Sequence, residues 1–301
     1  MKNSAKKIIK YSAITIALTS LLLKVIPEIK KRQIKKTTNK LIDKEKTHRL
    51  LTTPINILSA NVRNGRDGLE ESINKVVSVF ENKKEENIYC LQESAKNYVN
   101  ILKNELGKEY NIIGDYRLGN ILELEYNEGN PIITNMKVIK TKTFHLSWIP
   151  TNIITLIKSL KEKSIIPRIA VLAVLENRKK EKIICLNTHL NHRIPTIQKI
   201  QLDEIYTIIN SVPKEYPIII TGDFNLEPGN IIFDSFKKQL KLIGIEEITN
   251  SENTYKGNRK KTPSILDHVF YRGVNLTSKI IKTNKKESDH NFILIKSIVK
   301  I

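Results

Sequence analysis

Cysteine is scarce in this sequence. Only Cys90 and Cys185 occur among 301 residues. Two cysteines do not make the disulfide framework that stabilises many small secreted proteins, and no Cys/His spacing suggests a zinc site. Both lie in apolar, strand-like runs, so we expect buried free thiols.

The N-terminal region lacks an apolar run long enough to be an unambiguous membrane span. Tyr11–Leu23 contains 13 mostly apolar residues, whereas a spanning helix needs about 20. A basic flank before such a run fits an export signal, but no small-x-small cleavage site follows. We expect residues 1–30 to form an uncleaved membrane anchor. A cleaved export signal and an ordinary soluble helix are the alternatives.

Acidic residues are too few to balance the basic ones. The sequence has 51 Lys and Arg against 31 Asp and Glu, and the first 50 residues hold 14 of the basic and 3 of the acidic residues. This positive field favours nucleic acid, an anionic lipid or another phosphate-bearing partner. The same composition is also typical of an AT-rich genome, so charge alone does not identify nucleic acid.

Basic residues after the apolar run favour a cytoplasmic orientation, whereas an export signal predicts the opposite.

A composition change at Pro54 divides the chain. Residues 31–53 are polar and lysine-rich, which predicts a basic linker or an exposed helix. Residues 54–301 show no further break or repeat and predict one domain. Helical spacing of apolar residues predicts helices over Gly68–Asn82, Thr196–Ile209 and Ile231–Leu242. Helices between short strands indicate a mixed α and β class.

The segment Phe144–Lys163 interrupts this pattern. It contains the only tryptophan, Trp148, and a helix-like apolar stretch, Asn152–Leu160. It lies between the predicted strands Asn130–Asn135 and Arg168–Leu175. One interpretation is a helix that packs on the domain, and the other is an apolar lid or interfacial helix.

Six short polar motifs are predicted at the C-terminal ends of strands. Apolar, β-branched runs of the kind found in buried strands precede four of them, at Ile55–Leu58, Asn87–Cys90, Lys182–Leu186 and Tyr216–Ile220. The motifs are Ser59-Ala60-Asn61, Leu91-Gln92-Glu93-Ser94, Asn187-Thr188-His189-Leu190, Thr221-Gly222-Asp223-Phe224-Asn225, Ile265-Leu266-Asp267-His268 and Ser288-Asp289-His290. Carboxylates, amides and imidazoles at these places do not help a core, so we expect one site assembled from many strand ends.

In this order and spacing, the motifs resemble those of the endonuclease/exonuclease/phosphatase family, the DNase I-like metal-dependent phosphodiesterases. The resemblance extends from about Asn56 to His290. It implies an α/β four-layer sandwich, in which two packed, mainly antiparallel β-sheets are flanked by helices.

The resemblance also implies a metal site. It assigns Asn61, Glu93 and Asp289 as oxygen ligands, and hard cations such as Mg²⁺ prefer such ligands. Mn²⁺ is the alternative cation.

The remaining motif residues resemble the catalytic groups of the family. Asp223 would orient or deprotonate the attacking water, and Asp267 would accept a hydrogen bond from His290, which acts as base or phosphate stabiliser. His189 would donate to charge developing on the phosphate. The phosphate-binding residues implied in this way are Arg168, Asn225 and His189. Asn130 is expected to be mainly structural.

The predicted function is Mg²⁺-dependent hydrolysis of a phosphodiester, first of all in nucleic acid, by a monomer without an inferred protein partner. A phospholipid or inositol-phosphate hydrolase at a membrane is the second hypothesis, favoured by the predicted anchor and the Trp148 segment. A non-catalytic binding protein that kept the fold is the third, although a scaffold has no physical need for the full set of site residues.

Overall fold

Twelve β-strands and six α-helices make up the computed structural model, which describes residues 2–42, 51–80, 85–118, 127–150, 153–161, 166–249, 251–257 and 262–298. The strands are β1 (Ile55–Asn61), β2 (Glu86–Gln92), β3 (Asn111–Ile113), β4 (Ile132–Thr134), β5 (Lys137–Leu146), β6 (Arg168–Glu176), β7 (Lys182–His189), β8 (Ile218–Asp223), β9 (Glu246–Glu247), β10 (Asp267–Arg272), β11 (Asn275–Ile281) and β12 (Phe292–Ile298). The helices are α1 (Lys2–Leu41), α2 (Leu69–Ser78), α3 (Lys96–Leu106), α4 (Ile153–Lys161), α5 (Pro195–Asn210) and α6 (Ile231–Leu242).

The strands form two six-stranded sheets. Their orders are β11-β12-β1-β2-β4-β3 and β5-β6-β7-β8-β10-β9. Each sheet contains one parallel pair, β1 with β2 and β7 with β8, and the other neighbours are antiparallel. A parallel pair needs a long crossover connection, which α2 supplies in the first sheet and α5 in the second. The carboxyl ends of each parallel pair therefore meet at one sheet edge.

Alternating side chains of the buried strands bind the layers together. In β7, Ile183 and Cys185 pack between the sheets, whereas Ile184 and Leu186 pack under the helices. Both faces of these strands are covered, which explains their continuous apolar composition. Helices α2 and α3 cover the first sheet, and α5 and α6 cover the second. The predicted four-layer α/β sandwich is confirmed.

The two cysteines meet between the sheets. The Sγ atoms of Cys90 and Cys185 lie 3.4 Å apart, and both thiols are free and fully buried. The expectation of buried free thiols is confirmed.

Helix positions agree with the predicted ones to within a few residues. Helix α6 has the predicted bounds, and α5 is one residue longer at each end. Helix α2 ends at Ser78, and the predicted end at Asn82 lies outside the described residues. Sequence analysis did not identify α3, although its buried residues Tyr98, Val99, Leu102 and Leu106 have helical spacing.

The N-terminal helix α1 extends across the predicted division at residue 30. Its buried side chains include Leu23, Ile34 and Thr38, and it packs against α4 and α5. Residues 43–50 of the predicted linker lie outside the described part of the chain. Among the described helices, none combines the length and the apolar character needed to cross a membrane.

Candidate active site

The polar motifs converge on one edge of the two sheets, but not all by the predicted route. Asn61, His189 and Asp223 are the last residues of β1, β7 and β8. The prediction that every motif lies at a strand's C-terminal end was wrong for two of them, because Asp267 is the first residue of β10 and His290 precedes β12. Strand β10 runs antiparallel to β8 and β12 antiparallel to β1, so their starts reach the same edge.

Asp223 lies at the centre of the site. Its carboxylate is held from the opposite sheet by Nδ2 of Asn61, at 3.0 Å from Oδ2. Phe224, the next residue, points the other way into the aromatic core under α6, where it contacts Phe233 and Phe236. Burial raises the pKa of Asp223 and the nearby charge of Asp267 raises it further, which outweighs the opposing effect of His290. Asp223 is therefore a better proton acceptor than an ordinary aspartate.

Asp267 and His290 form a hydrogen-bonded pair beside Asp223. Nδ1 of His290 lies 2.7 Å from Oδ2 of Asp267, and Nε2 lies 3.8 Å from Oδ2 of Asp223. Burial lowers the pKa of His290, but the charge of Asp267 and the hydrogen bond to it prevail, with help from Asp223, and raise the pKa to about 10. The ring is therefore an imidazolium at neutral pH, and Tyr255 packs on it with ring centroids 5.0 Å apart.

His189, in contrast to His290, is a neutral imidazole at neutral pH. Burial lowers its pKa, and the charges of Arg168 and Arg117 lower it further. A terminal nitrogen of Arg117 lies 3.1 Å from Nδ1 of His189. Because a guanidinium only donates, Nδ1 is the acceptor and the proton is on Nε2. This N–H lies 3.6 Å from Oδ2 of Asp223 and is directed into the site.

Arg168 is a buried cation with unused donors. Its side chain is 3% exposed, and no described residue accepts a hydrogen bond from Nε or from one terminal nitrogen. The other terminal nitrogen lies 3.4 Å from Nδ1 of His192. Buried polar groups are normally satisfied, so these donors indicate a place for an anion. Its pKa is lowered by burial and by the charge of Arg117, but a guanidinium remains charged.

The predicted metal ligands offer only oxygen. Glu93 follows β2 with a positive φ of 53°, which is uncommon outside glycine and marks strain at many functional sites. Among the described residues, none donates a hydrogen bond to the Glu93 carboxylate, which is 23% exposed. Within the described part of the chain, Oδ1 of Asn61 accepts only the backbone N–H of Arg63, at 3.0 Å, and keeps a second lone pair. Oδ2 of Asp289 lies 3.5 Å from Nε of Arg63. This donor set fits Mg²⁺ or Mn²⁺.

A second group of possible ligand atoms lies within 4.8 Å of one another and belongs to Asp223, Asp267 and His290. There Nδ1 of His290 is hydrogen-bonded to Oδ2 of Asp267 at 2.7 Å, and Oδ2 of Asp223 accepts from Asn61 at 3.0 Å. The all-oxygen Glu93 group therefore fits a hard cation better than this group does.

The two predicted asparagines have different environments. Asn225 has a φ of 54°, and its backbone N–H donates to Oδ1 of Asp223 at 2.9 Å. Its Nδ2 donates to the carbonyl of Leu190 at 3.1 Å, which leaves one amide hydrogen for a phosphate. Nδ2 of Asn130 donates to the carbonyl of Ile169 at 2.9 Å, a contact of the structural kind expected for it.

A buried amide pair fixes the two sheets against each other below the site. Nε2 of Gln92 donates to Oδ1 of Asn187 at 2.7 Å, and Nδ2 of Asn187 donates to the carbonyl of Leu91 at 2.7 Å. Both side chains are fully buried. This pair holds the ends of β2 and β7, and with them Glu93 and His189, at a constant separation.

Sequence reasoning missed three residues at the site, Arg63, Arg117 and Tyr255. Arg117 bridges His189 and Glu128, and Arg63 contacts Asp289. None of the three belongs to a quoted motif, and a lone arginine or tyrosine in a loop carries no recognisable signal. The predicted catalytic, phosphate-binding and metal-binding residues are brought together at one edge, although their roles stay predictions.

Comparison with known proteins identifies the family to which this chain is similar. A model of the endonuclease/exonuclease/phosphatase family matches residues 58–290. A search among curated proteins finds no match.

Solved structures share the fold at low sequence identity. A family protein from Bacteroides thetaiotaomicron is 16% identical with a TM-score of 0.63, over 84% of this chain and 98% of that one. A mannosyl-6-phosphatase from the same organism is 17% identical with a TM-score of 0.61, over 81% and 99%. The human Nocturnin catalytic domain with bound sulfate is 17% identical with a TM-score of 0.60, over 82% and 94%. D. rerio TDP2 with a single-strand DNA product is 17% identical with a TM-score of 0.58, over 81% and 99%.

These structural likenesses concern the fold, whereas the family match spans most of the chain and includes the site motifs from Asn61 to His290. The chain therefore belongs to the endonuclease/exonuclease/phosphatase family, whose members are hydrolases of phosphate esters.

Proposed function

We propose that this protein hydrolyses a phosphodiester bond with the help of Mg²⁺. The observation that carries the proposal is Arg168, a buried guanidinium beside the carboxylate and imidazoles of the candidate site. Two of its nitrogens carry N–H groups that no described residue accepts. An anion placed there would meet Arg168 and the Nε2–H of His189. Such charge-assisted hydrogen bonds are the strong ones in phosphate recognition.

The proton chemistry follows from the charge states. Asp223, whose pKa is raised, accepts a proton from a water that attacks phosphorus. His290, held as an imidazolium by Asp267, stabilises the negative charge on phosphate and supplies a proton to the leaving oxygen. His189 donates its Nε2–H to a phosphate oxygen, and Asn225 orients the phosphate.

Glu93, Asn61 and Asp289 would hold the metal. When bound, Mg²⁺ supplies a Lewis acid that neutralises charge on the phosphate.

Nucleic acid is the first substrate candidate. The site continues into an open groove lined by polar groups that include His192, Gln198 and Ser264, and an open groove admits a polymer. One structural relative contains a single-strand DNA product. The basic charge of the chain favours a polyanion.

A phospholipid or phosphoinositide is the second candidate, because the site has an apolar rim. Leu146 pairs with Arg168 in the register of β5 and β6. The chain continues from Leu146 to Trp148 and Ile149, which are exposed. Binding without catalysis is the third possibility, and only an activity measurement separates it from the other two.

The test uses the full-length protein with three substrates: bis(p-nitrophenyl) phosphate, a single-stranded oligonucleotide, and phosphatidylinositol phosphate in vesicles. Each is incubated with EDTA, Mg²⁺ or Mn²⁺. We expect turnover of the activated diester only with metal, and preferential cleavage of the oligonucleotide. Full activity after exhaustive EDTA treatment contradicts the metal requirement, and preferential turnover of the lipid reverses the order of substrates.

Glu93→Gln provides a readout besides activity. It keeps the shape of the side chain and removes the charge that a divalent cation needs. We expect Mg²⁺ to raise the melting temperature of the wild type and to have a much smaller effect on the variant. Glu105→Gln, an exposed change on α3, is the matched control and should keep the full Mg²⁺ response.

A further inference from the structure

An apolar stripe runs along the exposed side of α1. Its members are 40% to 58% exposed: Leu18, Leu21, Leu22, Val25, Ile26 and Ile29. Their spacing of three and four residues places them on one helical face. A different face of α1, with Leu23 and Ile34, packs on the domain. The stripe is therefore a second apolar face, and packing within the described chain does not cover it.

Helix α4 and the loop before it extend this apolar surface. Ile154 is 74% exposed, and Ile157 and Leu160 are at least half exposed. Helix α4 packs against α1. Trp148 and Ile149 line a mostly apolar groove together with Leu23, Ile26 and Pro27 of α1. Contiguous exposed apolar patches of this kind mark binding surfaces. The stripe, α4 and Trp148 therefore form one candidate surface, named the α1–α4 surface below.

Basic residues continue the stripe toward the C-terminal end of α1. Arg32, Lys36 and Lys40 follow Ile29 at helical spacing on the same face, and all three are exposed. Glu28 is the only acidic residue in α1. An apolar face that passes into a row of cations is complementary to a bilayer, where acyl chains adjoin anionic headgroups.

We propose that the α1–α4 surface docks on the face of a membrane containing anionic lipid, with α1 lying in the plane of the interface. Such a helix needs an apolar face and flanking cations, not a span of the bilayer. Trp148 reinforces this assignment, because tryptophan prefers the headgroup region. A second copy of the chain packed with its α1 parallel is disfavoured, because the two rows of like charge would be brought together.

Docking in this way would bring the active site near the headgroup layer. Trp148 is two residues beyond Leu146, the register partner of Arg168. The apolar surface therefore begins at the rim of the candidate site. The proposal does not depend on which phosphodiester is cleaved, since binding is measured without turnover.

The test is co-sedimentation of the full-length protein with vesicles of phosphatidylcholine alone or mixed with phosphatidylglycerol. We expect binding to the mixed vesicles, weak binding to phosphatidylcholine, and release by salt. Leu22→Gln with Ile26→Gln should weaken binding at least ~10-fold, since burial of even one aliphatic side chain contributes about that factor. Arg32→Glu with Lys36→Glu should weaken binding to the anionic vesicles by a similar factor and reduce the salt dependence.

Helix α6 supplies matched controls. Ile231 and Leu242 are 84% exposed there, and Lys238 and Lys241 are also exposed. Ile231→Gln with Leu242→Gln, and Lys238→Glu with Lys241→Glu, should leave vesicle binding within about twofold of the wild type. Thermal melting and hydrolysis of bis(p-nitrophenyl) phosphate verify that every variant is folded.

Three results overturn the proposal. The first is the absence of binding to anionic vesicles at low salt, and the second is equal loss of binding in the α1 and α6 variants. The third is a concentration-dependent dimer, abolished by Leu22→Gln with Ile26→Gln, in a protein that does not bind vesicles. In that case a second copy covers the stripe. If the wild-type protein binds anionic vesicles but hydrolyses no phosphodiester, that result contradicts the proposed function and leaves the docking proposal intact.

Discussion

Nδ1 of His290 lies 2.7 Å from Oδ2 of Asp267, and both side chains are buried. Residue Asp267 begins β10 and His290 precedes β12, so the pair joins the two sheets across the site. The hydrogen bond fixes the orientation of the ring, and the carboxylate stabilises its positive charge. The charge of the imidazole thus depends on how the two sheets are packed.

Removal of the His290 imidazole should lower kcat more than neutralisation of its partner Asp267. We expect His290→Ala to lower kcat at least ~10²-fold, the usual scale for a positioned proton-transfer group. Asp267→Asn should have a smaller effect because the ring remains in place. Steady-state kinetics with bis(p-nitrophenyl) phosphate at saturating Mg²⁺ measures both. Near wild-type kcat for His290→Ala would exclude a catalytic role for this residue.

The same pair predicts a pH effect. The pKa of His290 is raised to about 10, so the imidazolium is present at lower pH and is lost as the pH rises through that value. Asp267→Asn removes the charge that raises this pKa, so the alkaline limb of the kcat/KM profile should move to lower pH. An alkaline limb at the same pH in the variant and the wild type would show that His290 does not control it.

Arg117 should act on catalysis through His189. Its guanidinium lies against Nδ1 of His189 and keeps the proton on Nε2. We expect Arg117→Met to lower kcat ~10-fold or more and to change the His189 tautomer, as seen in ¹⁵N chemical shifts. Arg66→Met is the control, because Arg66 also binds Glu128 but is 48% exposed and makes no such contact. Equal effects of the two changes would point to Glu128 instead of His189.

Arg168 should bind the substrate phosphate. Arg168→Met keeps the approximate length of the side chain and removes its donors, and we expect kcat/KM to fall ~10- to 100-fold, the scale of a hydrogen bond to a charged group. Inhibition by sulfate should weaken in parallel. Arg178→Met, an exposed change beyond the opposite end of β6, should alter neither. Unchanged sulfate inhibition in Arg168→Met would place the anion elsewhere.

An ion pair between a half-buried lysine and a buried glutamate connects α1 to the domain. Nζ of Lys30 lies 3.8 Å from Oε1 of Glu204, which is fully buried in α5. Burial raises the pKa of Glu204, and Lys30 opposes that rise. We expect Lys30→Met to lower the free energy of unfolding by about 1–3 kcal/mol at neutral pH, since it leaves a buried carboxylate with less compensation.

The pH dependence of that loss has a defined sign. The folded state binds the Glu204 proton more tightly than the unfolded state, and Lys30→Met strengthens this preference. The loss of unfolding free energy in Lys30→Met should therefore be largest at high pH, and it should shrink as the pH falls through the pKa of Glu204 in the folded state. Urea unfolding at several pH values measures it. The control is Lys35→Met, an exposed change on α1. A loss that does not change with pH would show that packing of the Lys30 side chain, not its charge, stabilises α1.

Much of the fold and of the site was predictable from the sequence. Strands with both faces buried are continuous apolar runs, and polar residues at their ends stand out against that background. This local contrast identifies Asn61, Glu93, His189 and Asp223 without knowledge of the contacts between them. Helical periodicity locates α5 and α6 for the same reason, since it depends only on neighbours along the chain.

The arrangement of the site was decided by tertiary structure. Asn61 and Asp223 are 162 residues apart, and Arg117 and His189 are 72 apart. No local pattern encodes such contacts, because they arise when the two sheets pack. The same packing sets the charges of Asp223, His189 and His290, since each pKa depends on burial and on neighbours from other strands. It also determined which face of α1 is covered and which is left exposed. The sequence by itself thus determined the family and the residue types at the strand ends, while the packing of two sheets and α1 decided which charges and surfaces those residues present.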